Sequence, residues 1–110
     1  MDKTCGEVDM IAIKDGVSIL GLDPKMILAL IVADQVYNDH NIDECVLTSA
    51  TDSKHSEHSH HLKGLAIDLR TNNIGINMRQ PIVNVLQKAL GSQYQVIFEV
   101  DHIHVEFDPK

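Results

Sequence analysis

The chain has 110 residues, of which 44% are apolar and 23% charged, and its formal net charge is −7. These values fit one ordinary folded domain, residues 1–110, with a single core. They argue against a nucleic-acid-binding protein, because no basic stripe is present to neutralise phosphates. The longest apolar run, residues 26–33, is too short for insertion into a membrane.

The first predicted helix covers residues 25–38. Asp23 is a suitable N-cap and Pro24 suits the first helical position, and apolar residues then recur with helical spacing. A cluster of turn-forming residues at positions 38–41 ends this helix. Residues 45–49 are predicted to form a short buried strand.

A polar loop rich in histidine and serine follows at residues 50–63. Residues 64–70 are predicted as a strand, because apolar side chains alternate with Ala66 and Asp68. A second helix is expected over residues 81–90, with Gly91 as its C-cap.

The end of the chain is predicted as β structure over residues 94–100 and 102–107. The pattern allows either one bent strand or two strands broken at Asp101. The whole pattern predicts an α+β fold, in which helices pack on one face of a small, mainly antiparallel sheet.

Two segments carry residues that suit metal chemistry. The first runs from His61 to Asp68, and the second runs from Asp101 to His104. Two imidazoles and one carboxylate, with a fourth position left to water, are typical of a catalytic zinc site rather than a structural one. The remaining carboxylate is then a candidate general base for that water.

The spacing between His61 and Asp68 requires a turn in the chain. On a continuous strand, residues seven positions apart lie on opposite faces and about 23 Å from each other. They can share one ion only if the chain turns back between them, and Gly64 permits such a turn. Ala66 shares the face of Asp68, where a small side chain leaves space beside a metal.

These residues also form a longer pattern, Ser-x-His-x-x-Gly-x-Ala-x-Asp, followed by an acidic-x-x-His segment. In this chain the pattern consists of Ser59, His61, Gly64, Ala66 and Asp68, and then Asp101, His102 and His104. It resembles the zinc D,D-carboxypeptidase and L-alanyl-D-glutamate endopeptidase family. Those proteins are metallopeptidases that cleave peptidoglycan, many of them bacteriophage endolysins, and the hedgehog signalling domain shares their fold. The resemblance extends over about residues 22–106.

The resemblance implies one Zn²⁺ per chain, with His61, Asp68 and His104 as its ligands. It implies that Asp101 is the general base that takes a proton from the attacking water. His102 would lie near the scissile carbonyl and help to stabilise the oxyanion.

A second register of the acidic-x-x-His spacing is also open, and it gives a different general base and a different last zinc ligand. In that register Glu99 is the base and His102 is the zinc ligand, because the two residues have the same acidic-x-x-His spacing. The resemblance favours the first register, in which the second histidine of the His-x-His pair binds the metal.

The resemblance also implies a substrate-binding side of the cleft, to which we assign Lys54, His55 and Ser59. Many family members carry a Ser-Gly-Tyr-Arg-like segment before the zinc loop, and its arginine holds the substrate. The corresponding residues 48–52 lack an arginine. Lys54, Lys63 or Arg70 would then have to supply the positive charge, and which peptide bond is cut stays open.

The sequence thus leads us to expect a zinc metallopeptidase, a hydrolase acting on peptidoglycan stem peptides. It would be a phage-type lytic enzyme with either endopeptidase or carboxypeptidase specificity. We expect a monomer without a secretory signal, held in the host cytoplasm until lysis and then acting on the cell wall. The alternative is a hedgehog-like module that binds zinc without catalysis.

Three side chains outside the motif are expected to have structural or surface roles. Cys5 and Cys45 are expected to remain reduced thiols, the first partly exposed and the second buried. Glu106 shares the strand parity of His102 and His104 and could support a ligand imidazole. We expect it instead to be an exposed strand carboxylate.

Overall fold

The computed structural model describes residues 10–51 and 63–109. Within these ranges the chain forms, in order, β1 (Met10–Ile13), α1 (Pro24–Asp39), β2 (Glu44–Ser49), β3 (Ala66–Arg70), α2 (Ile76–Leu90), β4 (Tyr94–Glu99) and β5 (His102–Phe107). The described strands make one mixed sheet in the order β1-β2-β3-β5-β4. β1 is parallel to β2, and the other neighbouring strands are antiparallel. The predicted α+β class is therefore confirmed.

The start of α1 agrees with the capping residues in the sequence. The backbone of Asp23 is extended, and its carboxylate accepts a hydrogen bond of 2.8 Å from the backbone N–H of Lys25. Pro24 occupies the first helical position, where its missing N–H costs no helical hydrogen bond. Both predictions are confirmed.

The start of α2 was predicted wrongly. The helix begins at Ile76, five residues before the predicted start, and Pro81 lies inside it. The preference of proline for the first turn of a helix is a local effect. A proline inside the helix removes one backbone hydrogen bond of that helix. Ile82, Val83 and Leu86 on this helix are buried in the core. Their tertiary packing stabilises the helix and offsets that cost.

Strand β1 was not predicted from the sequence, because it has only four residues and no clear alternation of apolar and polar side chains. Its pairing is long-range: Ile11 lies opposite Cys45 and Ile13 opposite Leu47. The parallel β1–β2 pairing needs a crossover between the strands, and α1 lies within that connection.

The sheet has two faces of different character. One face, which we call the core face, carries Leu47, Ile67, Leu69, Ile103 and Val105, all fully buried in one apolar cluster with residues of both helices. The helices contact each other as well as the sheet, so both pack on the core face. Because side chains alternate along a strand, the intervening residues lie on the opposite face, which we call the site face.

Two further expectations can be compared with the described residues. Cys45 is fully buried with a free thiol, and burial, together with the nearby Asp34, raises the pKa of that thiol to about 12. Cys5 lies outside the described ranges. Within 10–51 and 63–109, neither helix has the length and apolar character needed to cross a membrane.

Candidate functional site

The site face is built where β3 and β5 run side by side. In the register of these strands, Asp68 lies opposite His104, Arg70 opposite His102, and Ala66 opposite Glu106. On the other side of β5, His104 lies opposite Ile97 and His102 opposite Glu99. The β3–β5 pairing therefore brings residues more than thirty positions apart into one polar group, and the β4–β5 pairing adds Glu99 to it.

Asp68 and His104, two of the three expected zinc ligands, are in direct contact. The Oδ1 atom of Asp68 lies 2.8 Å from the Nδ1 atom of His104, and their side chains are only 11% and 15% exposed. The two atoms that would bind an ion thus lie next to each other, away from most solvent. Among the residues that the structure describes, no set of three or more His, Cys, Asp or Glu side chains is arranged to hold a metal.

The other ring nitrogen of His104 contacts Glu106. Nε2 lies 2.8 Å from Oε1 of Glu106, whose side chain is 14% exposed. The expectation that Glu106 is an exposed strand carboxylate is therefore wrong. The strand parity of residues 104 and 106 was the signal for this contact, but parity alone does not report how deeply a side chain is covered.

The contacts of His104 also determine the charge of its ring. A neutral imidazole has one N–H, so donating to both Asp68 and Glu106 requires the protonated ring. Burial of the ring lowers its pKa, but the two carboxylates outweigh this effect and raise the pKa of His104 to about 9.

His102 lies between the two candidate general bases. Its Nδ1 atom is 2.8 Å from Oδ1 of Asp101, and its Nε2 atom is 3.0 Å from Oε1 of Glu99. Nε2 is also 3.7 Å from Oδ1 of Asp68. Burial lowers the pKa of His102, but these carboxylates reverse the effect and raise it overall. The hydrogen bond from His102 lowers the pKa of Asp101.

The β4–β5 connection explains why both bases reach the same histidine. The two strands form a hairpin that turns at Val100 and Asp101, so the alternative of a single bent strand is wrong. Glu99 shares the site face with His102, and its side chain is half exposed. Asp101 lies in the turn itself with 86% of its side chain exposed. Asp101 and Glu99 are therefore both still candidates for the general base.

The remaining predicted site residues are His61, Ser59, His55 and Lys54, and they lie outside the described ranges. The described chain resumes at Lys63, which is exposed. Gly64 has a φ of +74°, the left-handed conformation expected of a turn between His61 and Asp68.

Close packing around Gly64 fixes the chain just before β3. Its carbonyl oxygen accepts a hydrogen bond of 2.9 Å from the backbone N–H of Asp23. A side chain at this position would collide with the carbonyl oxygen of Gly21. The entrance to β3 is therefore held against the residues that start α1.

Arg70 is the described cation nearest in register to the site. It is half-buried on β3 and lies opposite His102. Asp68 and Arg70 are two positions apart and share the site face. Lys54, Lys63 and Arg70 are the candidates to replace the family arginine. Of these, Arg70 lies on the same face of the sheet as the expected ligands Asp68 and His104.

Comparison of the chain with protein-family models, with curated proteins and with solved structures gave no significant match.

Proposed function

We propose that this chain is a zinc metallopeptidase, with a hedgehog-like fold, that cleaves peptide bonds in peptidoglycan stem peptides. The observation that carries the proposal is the contact between Asp68 and His104 across β3 and β5, at a distance of 2.8 Å between Oδ1 and Nδ1. This pair supplies two of the ligands in the motif from residue 59 to residue 104.

The chemistry of the donor atoms supports zinc. One carboxylate oxygen and one imidazole nitrogen lie together on a face shielded from most solvent, and zinc accepts both kinds of ligand. His61, five residues before β3 in the chain, is the proposed third ligand. When bound, zinc would activate a water molecule and polarise the substrate carbonyl.

The residues around the ligand pair have the roles that hydrolysis requires. Asp101 is the proposed base, which accepts a proton from the attacking water and passes it to the leaving amine. A protonated His102 would donate a hydrogen bond to the oxyanion that forms on the carbonyl, and its raised pKa favours that charge state. Asp101 must turn away from His102 to act.

The substrate side of the site is also part of the proposal. Lys54, His55 and Ser59 are the proposed contacts, and Arg70 is the candidate for holding a substrate carboxylate. The proposed protein is a monomeric phage-type lytic enzyme, held in the host cytoplasm until lysis. The cleaved bond would be L-Ala to D-Glu or D-Ala to D-Ala.

The experiment is digestion of purified peptidoglycan by the zinc-loaded protein, followed by identification of new amino termini and fragment masses. We expect new termini that disappear when zinc is chelated. The variant Asp68→Asn should lose both zinc and cleavage, whereas Asp15→Asn, at an exposed turn position, should keep both.

Two results would contradict this function. Zinc binding at one ion per chain without any cleavage would favour the non-catalytic zinc module. Cleavage that persists in Asp68→Asn would mean that the ligand pair is not the reaction centre.

A further inference from the structure

The geometry points to Glu106 as the positioning residue of the proposed zinc site, holding the imidazole of His104 so that Nδ1 faces Asp68. This inference rests on the proposed function, because it concerns one ligand of the same site. It assigns a specific role to a carboxylate that belongs neither to the expected ligand set nor to the candidate bases.

The first reason is the line of contacts through the His104 ring. Asp68 lies 2.8 Å from Nδ1 on one side, and Glu106 lies 2.8 Å from Nε2 on the other. If Nδ1 binds an ion beside Asp68, the proton of the neutral ring must be on Nε2. Glu106 is then the acceptor for that proton, and its contact fixes the orientation of the ring.

The second reason is the burial of Glu106. Its side chain is 14% exposed, close to the 15% of His104 and the 11% of Asp68. A carboxylate removed from water needs a compensating donor, and an N–H of imidazole provides one. The pair formed by His104 and Glu106 is thus part of the covered site rather than a surface contact.

The third reason is the strand geometry around Glu106. The residue opposite it on β3 is Ala66, which is fully buried and has the smallest side chain on this part of the strand. Ala66 leaves room for Glu106 to lie along β5 towards residue 104, two positions earlier on the same face. The small side chain of Ala66 therefore leaves space for Glu106, which supports the ligand His104, as well as for the proposed metal.

A carboxylate behind a ligand imidazole acts on the metal through that imidazole. It makes the ring more basic and prevents it from rotating, and losing such a partner typically weakens metal binding by about 10–100-fold. We therefore expect Glu106→Ala to weaken zinc binding by about that factor while Asp68 and His104 are still present.

The test measures zinc affinity by competition with a coloured chelator, so it needs no catalytic activity. The variants are Glu106→Ala, Glu106→Gln and, as a matched control, Glu44→Gln at an exposed position of β2. In Glu106→Gln, the new amide oxygen would still accept from Nε2–H but without a charge. The expected loss for this variant is therefore about 10-fold, near the lower end of the range, and the control should bind as the unmodified chain does.

A second readout reports the role directly. In the zinc-loaded protein, nitrogen-15 NMR should show His104 with its proton on Nε2 and with slow exchange of that proton. Glu106→Ala should lose this slow exchange, and Glu44→Gln should keep it. A side chain that only stabilised the fold would not change the exchange of this one ring proton.

The outcomes separate this inference from the proposed function. Equal zinc affinity and an equally protected Nε2 proton in Glu106→Ala would overturn the positioning role while leaving the peptidase proposal intact. Failure of the unmodified chain to bind zinc would overturn both. If Glu106→Ala does not fold, Glu106→Gln carries the test, and affinity equal to that of the unmodified chain then overturns the inference.

Discussion

At the scale of single residues, the charge of His104 would couple the proposed zinc binding to pH. Without metal, the carboxylates of Asp68 and Glu106 outweigh the effect of burial, and the pKa of His104 rises from 6.5 to about 9. A zinc ligand must be the neutral imidazole. At neutral pH, zinc binding at the proposed site would therefore displace a proton from this ring.

We predict that zinc binding at about pH 7.5 releases a proton from His104, and that zinc affinity rises with pH until about pH 9. The expected slope is about tenfold per pH unit, because each unit lowers the proton concentration tenfold. Calorimetric titration in buffers of different ionisation enthalpy counts the released protons. An affinity that stays constant between about pH 7 and pH 9 would contradict the prediction.

The same pKa affects the stability of the metal-free chain. Because the folded-state pKa is raised, the protonated ring contributes stability that is fully present below about pH 6.5. That contribution is lost as the pH rises through about 9. Urea unfolding of the metal-free protein at a series of pH values measures this loss, and His104→Ala should show a smaller change over the same range.

The choice between the two candidate general bases of the proposed reaction is also a question about single residues. Asp101 and Glu99 each contact one nitrogen of His102. Replacing either with its amide removes one negative charge next to the same ring, so the two variants disturb His102 in comparable ways. A difference in activity between them then reports which carboxylate takes the proton.

We predict that Asp101→Asn keeps zinc and loses about 10²–10⁴-fold in cleavage rate, the usual contribution of a general base. Glu99→Gln should keep zinc and most of the activity. Rates on purified peptidoglycan with zinc-saturated proteins provide the measurement. The reverse pattern would establish the second register, in which Glu99 is the base.

At the scale of elements, the entrance to β3 depends on one backbone conformation. Gly64 has a positive φ and packs against the carbonyl of Gly21, whereas Gly75, the N-cap of α2, has a φ of −56° and open space around it. The two glycines therefore form a natural pair for testing whether the turn before β3 is required.

We predict that Gly64→Ala lowers the free energy of unfolding by about 1–3 kcal/mol, the usual cost of forcing a side chain into the left-handed region. The collision with Gly21 would add to this and shift the chain that leads to His61, so zinc affinity should fall as well. Gly75→Ala should lower stability by no more than about 1 kcal/mol, the usual cost of placing alanine at an N-cap. Chemical unfolding and zinc competition on both variants check this, and equal behaviour would contradict it.

At the scale of the whole molecule, the proposed site joins strands from distant parts of the chain. Asp68 and His104 are 36 positions apart, and their strands form the middle of the sheet. An ion that binds the folded chain through both residues, and binds the unfolded chain less well, must stabilise the fold.

We predict that zinc raises the free energy of unfolding by about 4 kcal/mol when free zinc is about 1,000 times its dissociation constant. Thermal unfolding with zinc and with a chelator measures the difference. Asp68→Asn should lose most of this increment, and Asp15→Asn should keep it. An increment that is unchanged in Asp68→Asn would place the bound ion elsewhere.

The sequence by itself determined the features that depend on local chemistry. Asp23 and Pro24 predicted the start of α1, Gly91 predicted the end of α2, and Gly64 predicted a turn. These residues act through their own backbone preferences or nearest hydrogen bonds, so short windows of sequence are sufficient to identify them. The motif also assigned Asp68 and His104 to one proposed site, and their side chains are in contact across β3 and β5.

The tertiary structure decided what depends on distant packing. Pro81 did not start α2, because burial along the helix outweighed its local preference. β1 formed only through pairing with β2, and Glu106 is covered and bonded to His104 although its sequence position resembles that of an exposed strand residue. Cross-strand register and burial are set by the whole sheet, and no local pattern specifies them.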